Sequence, residues 1–140
     1  MNHLATTALW LGRAGLLPFC AGPLLIMLDG PHSALYTRAL GAYAMAIVCF
    51  LAGSWWGIAL LRRAPAVLLA SNVIVIAAVA GGLLLSPPVA LLWLAALLVV
   101  LLRIERSHSL FAPQPAYYAR LRLQLTVVAV ASLCAASLLA

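Results

Sequence analysis

Long runs without a single charge dominate this chain, and nothing constrains its folding more. The one around which the rest is organised covers about 39–61 and stops at Arg62-Arg63. Inside it, Tyr43 to Gly57 (YAMAIVCFLAGSWWG) closes on Trp55-Trp56 between two glycines. With 67% hydrophobic and 7% charged residues among 140, and a mean hydropathy of +1.18, a soluble fold could not cover its surface. Soluble domains carry about 25% charged residues. Lipid must therefore be the solvent for most of the chain. As a helix, the central run places Gly41, Met45, Cys49, Gly53 and Gly57 at i, i+4 on one ridge of mostly small residues. In lipid, where close packing largely replaces the hydrophobic drive, such a ridge suits the approach of another backbone. The run is expected to be the central helix of a small bundle, with Gly53 and Gly57 turned toward a neighbour.

Four further runs approach the ~20 residues that cross ~30 Å of hydrocarbon. They cover about 8–28, 67–85, 89–102 and 119–139, and the expected fold is all-α: one domain over 1–140, a membrane bundle of five transmembrane helices. Pro18 and Pro23 lie inside the first span. Each removes a backbone donor and crowds the carbonyl four residues earlier, those of Ala14 and Phe19. A kink is expected there, with the freed carbonyls finding partners in the protein or in trapped water. Asp29-Gly30-Pro31-His32-Ser33 and Ser86-Pro87-Pro88 are turns. Arg103 to Arg106 reads as a helical extension of the fourth span, and the longest loop, 107–118, holds Pro113 and Pro115. Ser71 and Asn72 are expected to hydrogen-bond across helices.

The net charge of +6 arises from eight arginines against Asp29 and Glu105. They sit at the edges of the apolar runs, which the positive-inside rule explains without nucleic acid. With the N-terminus inside and the C-terminus outside, the inner side receives Arg62, Arg63, Arg103, Arg106, Arg120, Arg122 and Arg13, and the outer side only Arg38. The first run is too long for the core of a cleavable signal peptide, and no arginine precedes it. Phe19 before Cys20 argues against a lipidated cysteine. Cys20, Cys49 and Cys134 have no paired spacing and read as small buried hydrophobes.

Three stretches resemble a known family. Leu11 to Phe19 (LGRAGLLPF) is similar to its LGxAGLLPF opening. Tyr43, Ile47, Phe50, Leu51, Gly53, Trp56 and Gly57 resemble its YxAxILSFLGGxxWG pattern. Tyr118, Leu121, Arg122, Leu125 and Thr126 resemble its YxxLRxxLT pattern. The family is the one catalogued as domain of unknown function 3429. Cys49, Ala52 and Trp55 depart from its usual residues. The resemblance implies a small polytopic protein of a bacterial or mitochondrial inner membrane and supplies no activity.

The inventory of reactive groups is thin. Both acids lie at span ends and all three histidines lie outside the spans, so neither a bis-histidine haem nor a paired-carboxylate mechanism has its parts. No cofactor and no metal site is expected, and the chain is read as non-enzymatic. Candidate ligand or partner residues are Arg13, Pro18, Tyr43, Gly53, Trp56, Gly57 and Arg122. Arg13 beside the kink is either an anion site or an arginine snorkelling to the interface near Trp10. Adjacent helical residues point about 100° apart, so at most one of Trp55 and Trp56 faces the bundle. Arg103, Glu105, Arg106, Arg120 and Arg122 form a basic rim, either topogenic charge with a Glu105 ion pair or a binding place for anionic lipid headgroups. The expected function is an accessory or assembly subunit of an inner-membrane complex, such as a respiratory one. The alternative is a small oligomeric transporter or carrier with an anion or lipid site near Arg13. The expected partners are membrane lipids, a membrane-protein complex or a second copy of the chain.

Overall fold

The computed structural model describes residues 3–140. They form six α-helices: α1 (His3–Ala14), α2 (Leu17–Leu28), α3 (Ser33–Leu61), α4 (Pro65–Leu84), α5 (Pro87–Ser107) and α6 (Ala116–Leu139), with 3-10 turns at Gly30–His32 and Ser109–Phe111. α1 and α2 together make one crossing, so five segments are long and apolar enough to span a membrane. No strand occurs among the described residues. The fold is an all-helical membrane bundle.

The helix ends follow from local chemistry. α4 and α5 each open on proline, whose missing N–H costs nothing in a first turn. α3 stops because Ala64 precedes Pro65 and cannot stay helical. Its last carbonyls are closed by Arg63 in the left-handed region (φ 53) and by an Ala64 N–H···O Ala59 bond of 2.9 Å. That arrangement normally employs glycine. The fourth crossing was expected to cover about 89–102. It continues as helix through Arg103, Glu105 and Arg106 to Ser107.

α3 is central, packing against α2, α4 and α5, while α6 packs against α5, α2 and α1. The α3 C-terminus, the α5 C-terminus and the α6 N-terminus meet at one end of the bundle, here termed the arginine end. Asp29 and Arg38 lie at the opposite end.

The buried face of α3 corrects the expected one. Thr37, Leu40, Ala44, Val48, Ala52, Trp55 and Ala59 point into the bundle. Gly53 and Gly57 are exposed, and a Cβ on either would meet nothing within 4 Å. Only the other half of the small-residue ridge packs: Gly41 faces Leu91, and Met45 lies under Gly82. The tryptophan pair divides accordingly, with Trp55 1% exposed and Trp56 43%. Cys20 is likewise exposed rather than buried.

The close approach that lipid demands is supplied elsewhere. Gly22 of α2 lies against Leu40, whose Cδ2 would stand 2.8 Å from an added Cβ. Gly81 of α4 is buried under the ring of Trp93 from α5, which leaves no room for a Cβ. The Trp93 indole donates to the Ala77 carbonyl at 2.8 Å. Ser71 and Asn72 do not bond across helices. Both donate to the Leu68 carbonyl of their own turn, which satisfies them locally.

Two substitutions separate these glycines. Gly81→Ala should destabilise the detergent-solubilised chain by about 1–3 kcal/mol, the usual cost of overpacking, because the indole must move. Gly53→Ala should leave the midpoint unchanged or slightly raised. Thermal unfolding followed by circular dichroism reads both, and equal effects would contradict the assigned faces.

Candidate functional site

The first crossing breaks at Gly15-Leu16, one turn before Pro18, which sits in the first turn of α2. Pro23 lies inside α2 without interrupting it, so one proline breaks the span and the other is absorbed. A freed carbonyl in hydrocarbon needs a partner. The carbonyls expected to need one were those of Ala14 and Phe19; the one served from another helix is that of Gly15, to which the Tyr43 hydroxyl of α3 donates at 2.8 Å. The Tyr43 ring also meets Phe19 edge-on, with centroids 5.2 Å apart. Tyr43 thus closes the break from the central helix.

The break separates two directions of packing. α2 stays on α3 and α6, whereas α1 packs chiefly on α6. Gly12 of α1 approaches α6 so closely that a Cβ would stand 3.2 Å from Leu125 and 3.3 Å from Leu121. Between α1 and α3 a wedge remains, a cleft of about 380 Å³. That lies within the size range of small-molecule sites. Leu11 and Phe50 stand at its lips, 68% and 72% exposed, facing outward from the bundle. Its walls are Gly12, Gly15, Leu16 and Phe19 on one side, Ile47, Phe50 and Leu51 on another, and Tyr118, Leu121, Arg122, Leu125 and Thr126 on α6, completed by Ala8, Leu98 and Ala129. All but the last three belong to the stretches quoted above for the family resemblance. Stretches far apart in the chain converge on one cavity.

The polar floor of the cleft is a buried ion pair. Glu105 of α5 and Arg122 of α6 retain 6% and 7% of their side-chain exposure. Arg122 Nη2 donates to Glu105 Oε1 at 3.2 Å, and Nε lies 2.9 Å from Oε2. The latter two atoms face each other as charges, off the line of a hydrogen bond, and have no other partner. Arg122 Nη1 donates to Thr126 Oγ1 at 3.2 Å. From α3, the Trp55 indole donates to Glu105 Oε1 at 3.1 Å. Three crossings are joined through one carboxylate. Pairing alone rarely repays the desolvation of two charges, but here hydrogen bonds from Trp55 and to Thr126 add to the attraction.

The loop after α5 covers this cluster at the arginine end. Leu110 and Phe111 are buried, the Phe111 ring packs tilted on Trp55 with centroids 5.2 Å apart, and Arg62 donates to the Ala112 carbonyl at 3.2 Å. A second cleft of about 370 Å³ lies beneath the loop. Arg122 lines the first cleft, Glu105 the second, and Tyr118 both, so the ion pair partitions them.

Of the candidate residues, Arg122 lines the cleft; Tyr43 touches two of its wall residues, Gly15 and Phe19, and Pro18 lies beside the break. Arg13 is exposed in the last turn of α1 and does not line the cavity, and neither do Gly53, Trp56 and Gly57. The role of Trp55 was not anticipated. The signal was available: a buried indole needs an acceptor, and Glu105 is the only carboxylate among the arginines. At the opposite end, Asp29 accepts from Tyr36 at 3.0 Å and contacts His32 Nδ1 at 3.0 Å. The His32 bond, and after it the Tyr36 bond, hold the Asp29 carboxyl below its ordinary pKa. Among the described residues no three His, Cys, Asp or Glu side chains gather to hold a metal.

Fold and site together define a polytopic membrane protein with a lateral cleft above a buried ion pair. Residues 4–138 match the family described as protein of unknown function (DUF3429), and the chain belongs to that family. A 59-residue stretch, 42% of the chain, is 42% identical to transmembrane protein 69 of Xenopus tropicalis and spans 23% of that protein. No solved structure matches.

The ion pair makes a quantitative expectation. Glu105→Gln or Arg122→Leu alone should destabilise by about 3–5 kcal/mol, since each strands a buried charge. The double variant Glu105→Met/Arg122→Leu should recover most of that loss. Tyr43→Phe should cost about 1 kcal/mol, the net worth of one hydrogen bond. Chemical or thermal unfolding in detergent measures all four, and an additive double variant would refute the coupling.

Proposed function

We propose that the chain is a non-enzymatic accessory protein of an inner membrane, bacterial or mitochondrial, whose working part is the cleft, where it holds an amphiphilic molecule. The observation behind this reading is the convergence of the three family-like stretches on one apolar cavity with Arg122 in its floor. A cavity open sideways to lipid takes its occupant from the bilayer and needs no aqueous path. Glu105 and Arg122 are spent on each other, which suits a structural floor better than acid–base work. This reading moves the carrier site from Arg13 to the wedge between α1 and α3. The grouping of Arg62, Arg63, Arg103, Arg106, Arg120 and Arg122 at one end favours that end inside, with the N-terminus inside and the C-terminus outside.

Mass spectrometry of organic extracts of the purified protein tests the proposal. The native chain should carry an amphiphile through purification. Ala8→Phe, which fills the cavity from α1, should lower its amount about tenfold or more, corresponding to ~1.4 kcal/mol. Equal retention by a folded Ala8→Phe protein would sink the reading.

A second reading, assembly into a larger inner-membrane complex, respiratory or otherwise, or into a homo-oligomer, is favoured by the open backbone at Gly53 and Gly57. Small residues four apart with nothing against them leave room for a foreign helix. Native electrophoresis of gently solubilised membranes should then place the chain in a large species that Gly53→Leu/Gly57→Leu releases. A chain that always migrates alone would remove this reading.

A further inference from the structure

Arg122 takes the carboxylate of Glu105 at the arginine end. The other acid, Asp29, is held by His32 and Tyr36 at the opposite end. Arg103 and Arg106 of α5 are left without a carboxylate, and neither makes an ion pair among the described residues. Both line a third cleft, of about 370 Å³, between α5 and α6. Val99, Leu102 and Ser107 of α5 and Leu123 of α6 complete it. Val99, Leu102, Arg103 and Arg106 follow one another at i, i+3, i+4 and i+7, a single face of α5. The cleft shares no residue with the two described above. On α6, Leu121 and Leu125 turn to the first cleft, and Leu123 points about 200° round the helix from either.

The lining changes character along its length. Val99 and Leu123, 41% and 36% exposed, are apolar surface open to lipid. Val99 and Arg106 stand about 10 Å apart along the helix axis. The 21 residues of α5 reach about 30 Å, the depth of the hydrocarbon, so the last turn meets the headgroups while Val99 stays among acyl chains. Residues three apart on a helix are about 5–6 Å apart at Cβ, so both guanidinia can close on one phosphate. The Ser107 hydroxyl, bound only to the Ile104 carbonyl at 3.5 Å, offers a further donor. The C-terminal dipole of α5 opposes an anion, but with about half a charge against two whole ones.

We infer that this third cleft is a specific site for an anionic phospholipid, its phosphodiester between Arg103 and Arg106 and one acyl chain along Val99, Leu102 and Leu123. A soluble phosphate would leave the apolar part of the cleft uncovered. A zwitterionic lipid would bring an ammonium beside two guanidinia. The inference does not depend on what occupies the first cleft.

The experiment uses the full chain in mixed micelles with equal parts phosphatidylglycerol and phosphatidylcholine, read by native mass spectrometry. Phosphatidylglycerol should be retained about tenfold or more over phosphatidylcholine, the order expected of two arginines at a membrane surface. Arg103→Gln/Arg106→Gln should abolish the preference. Leu123→Glu, which gives the two arginines a carboxylate of their own, should do the same. Arg62→Gln/Arg63→Gln removes as much charge from the same end without touching the cleft and should keep the preference. Ala8→Phe, which fills the first cleft, should keep it too. No preference in the native chain, or one that survives both changes to the third cleft, would overturn the inference. Equal loss in Arg62→Gln/Arg63→Gln would overturn it in favour of diffuse charge, and loss in Ala8→Phe in favour of the first cleft. Glycerophosphoglycerol, the same headgroup without its chains, should fail to displace the lipid. Displacement by it would assign the arginines to a soluble phosphodiester instead.

Discussion

A peptide carbonyl without a partner costs several kcal/mol in hydrocarbon, where no water can serve it. Pro18 denies a partner to the carbonyl four residues before it, and the chain breaks its first crossing there. The Tyr43 hydroxyl of the central helix then meets the carbonyl of Gly15 inside the break. Most of what distinguishes this bundle from five plain rods descends from that break, which the bond ties to α3. Past it α2 stays on α3 while α1 follows α6, and the cavity is the space between the two paths.

The second organising contact works by different physics. Glu105 is the only acid at an end rich in arginine, and a bare carboxylate so well buried would be untenable. Arg122 balances its charge, and the indole of Trp55 occupies the remaining acceptor capacity. The result joins α3, α5 and α6 at the end where the connecting loop is longest. Packing alone would hold that end less firmly, because helices in lipid gain little from apolar contact. The loop closes over the cluster with Phe111 against Trp55, shielding the pair from water.

The crossings were legible because ~20 apolar residues between turns admit few other structures. The break was legible too, since proline chemistry is local. The phase of α3 was not. Gly41–Gly57 and Leu40–Ala59 form adjacent ridges on an uncharged helix, both are rich in small residues, and lipid and core reward the same side chains. In a soluble protein the polar face would decide between them. Here Thr37 is the sole polar residue on the buried stripe, too slight a marker to set the rotation. Helical spacing allowed only one of Trp55 and Trp56 to face the bundle, and it is Trp55 that turns inward. The Glu105–Arg122–Trp55 cluster draws on residues 17 and 50 positions apart, a pairing that the fold must supply. The family-like stretches pointed to the cleft only after folding brought them together.

The interruption at Gly15-Leu16 leaves α1 attached to the rest mainly through α6 and through a two-residue joint. A segment held in that way can pivot as a unit while the other crossings stay in register. Widening at the wedge is then a low-energy local event rather than a global one. The aperture through which a molecule enters from the bilayer would be governed by that joint, with the phenol of Tyr43 as its latch.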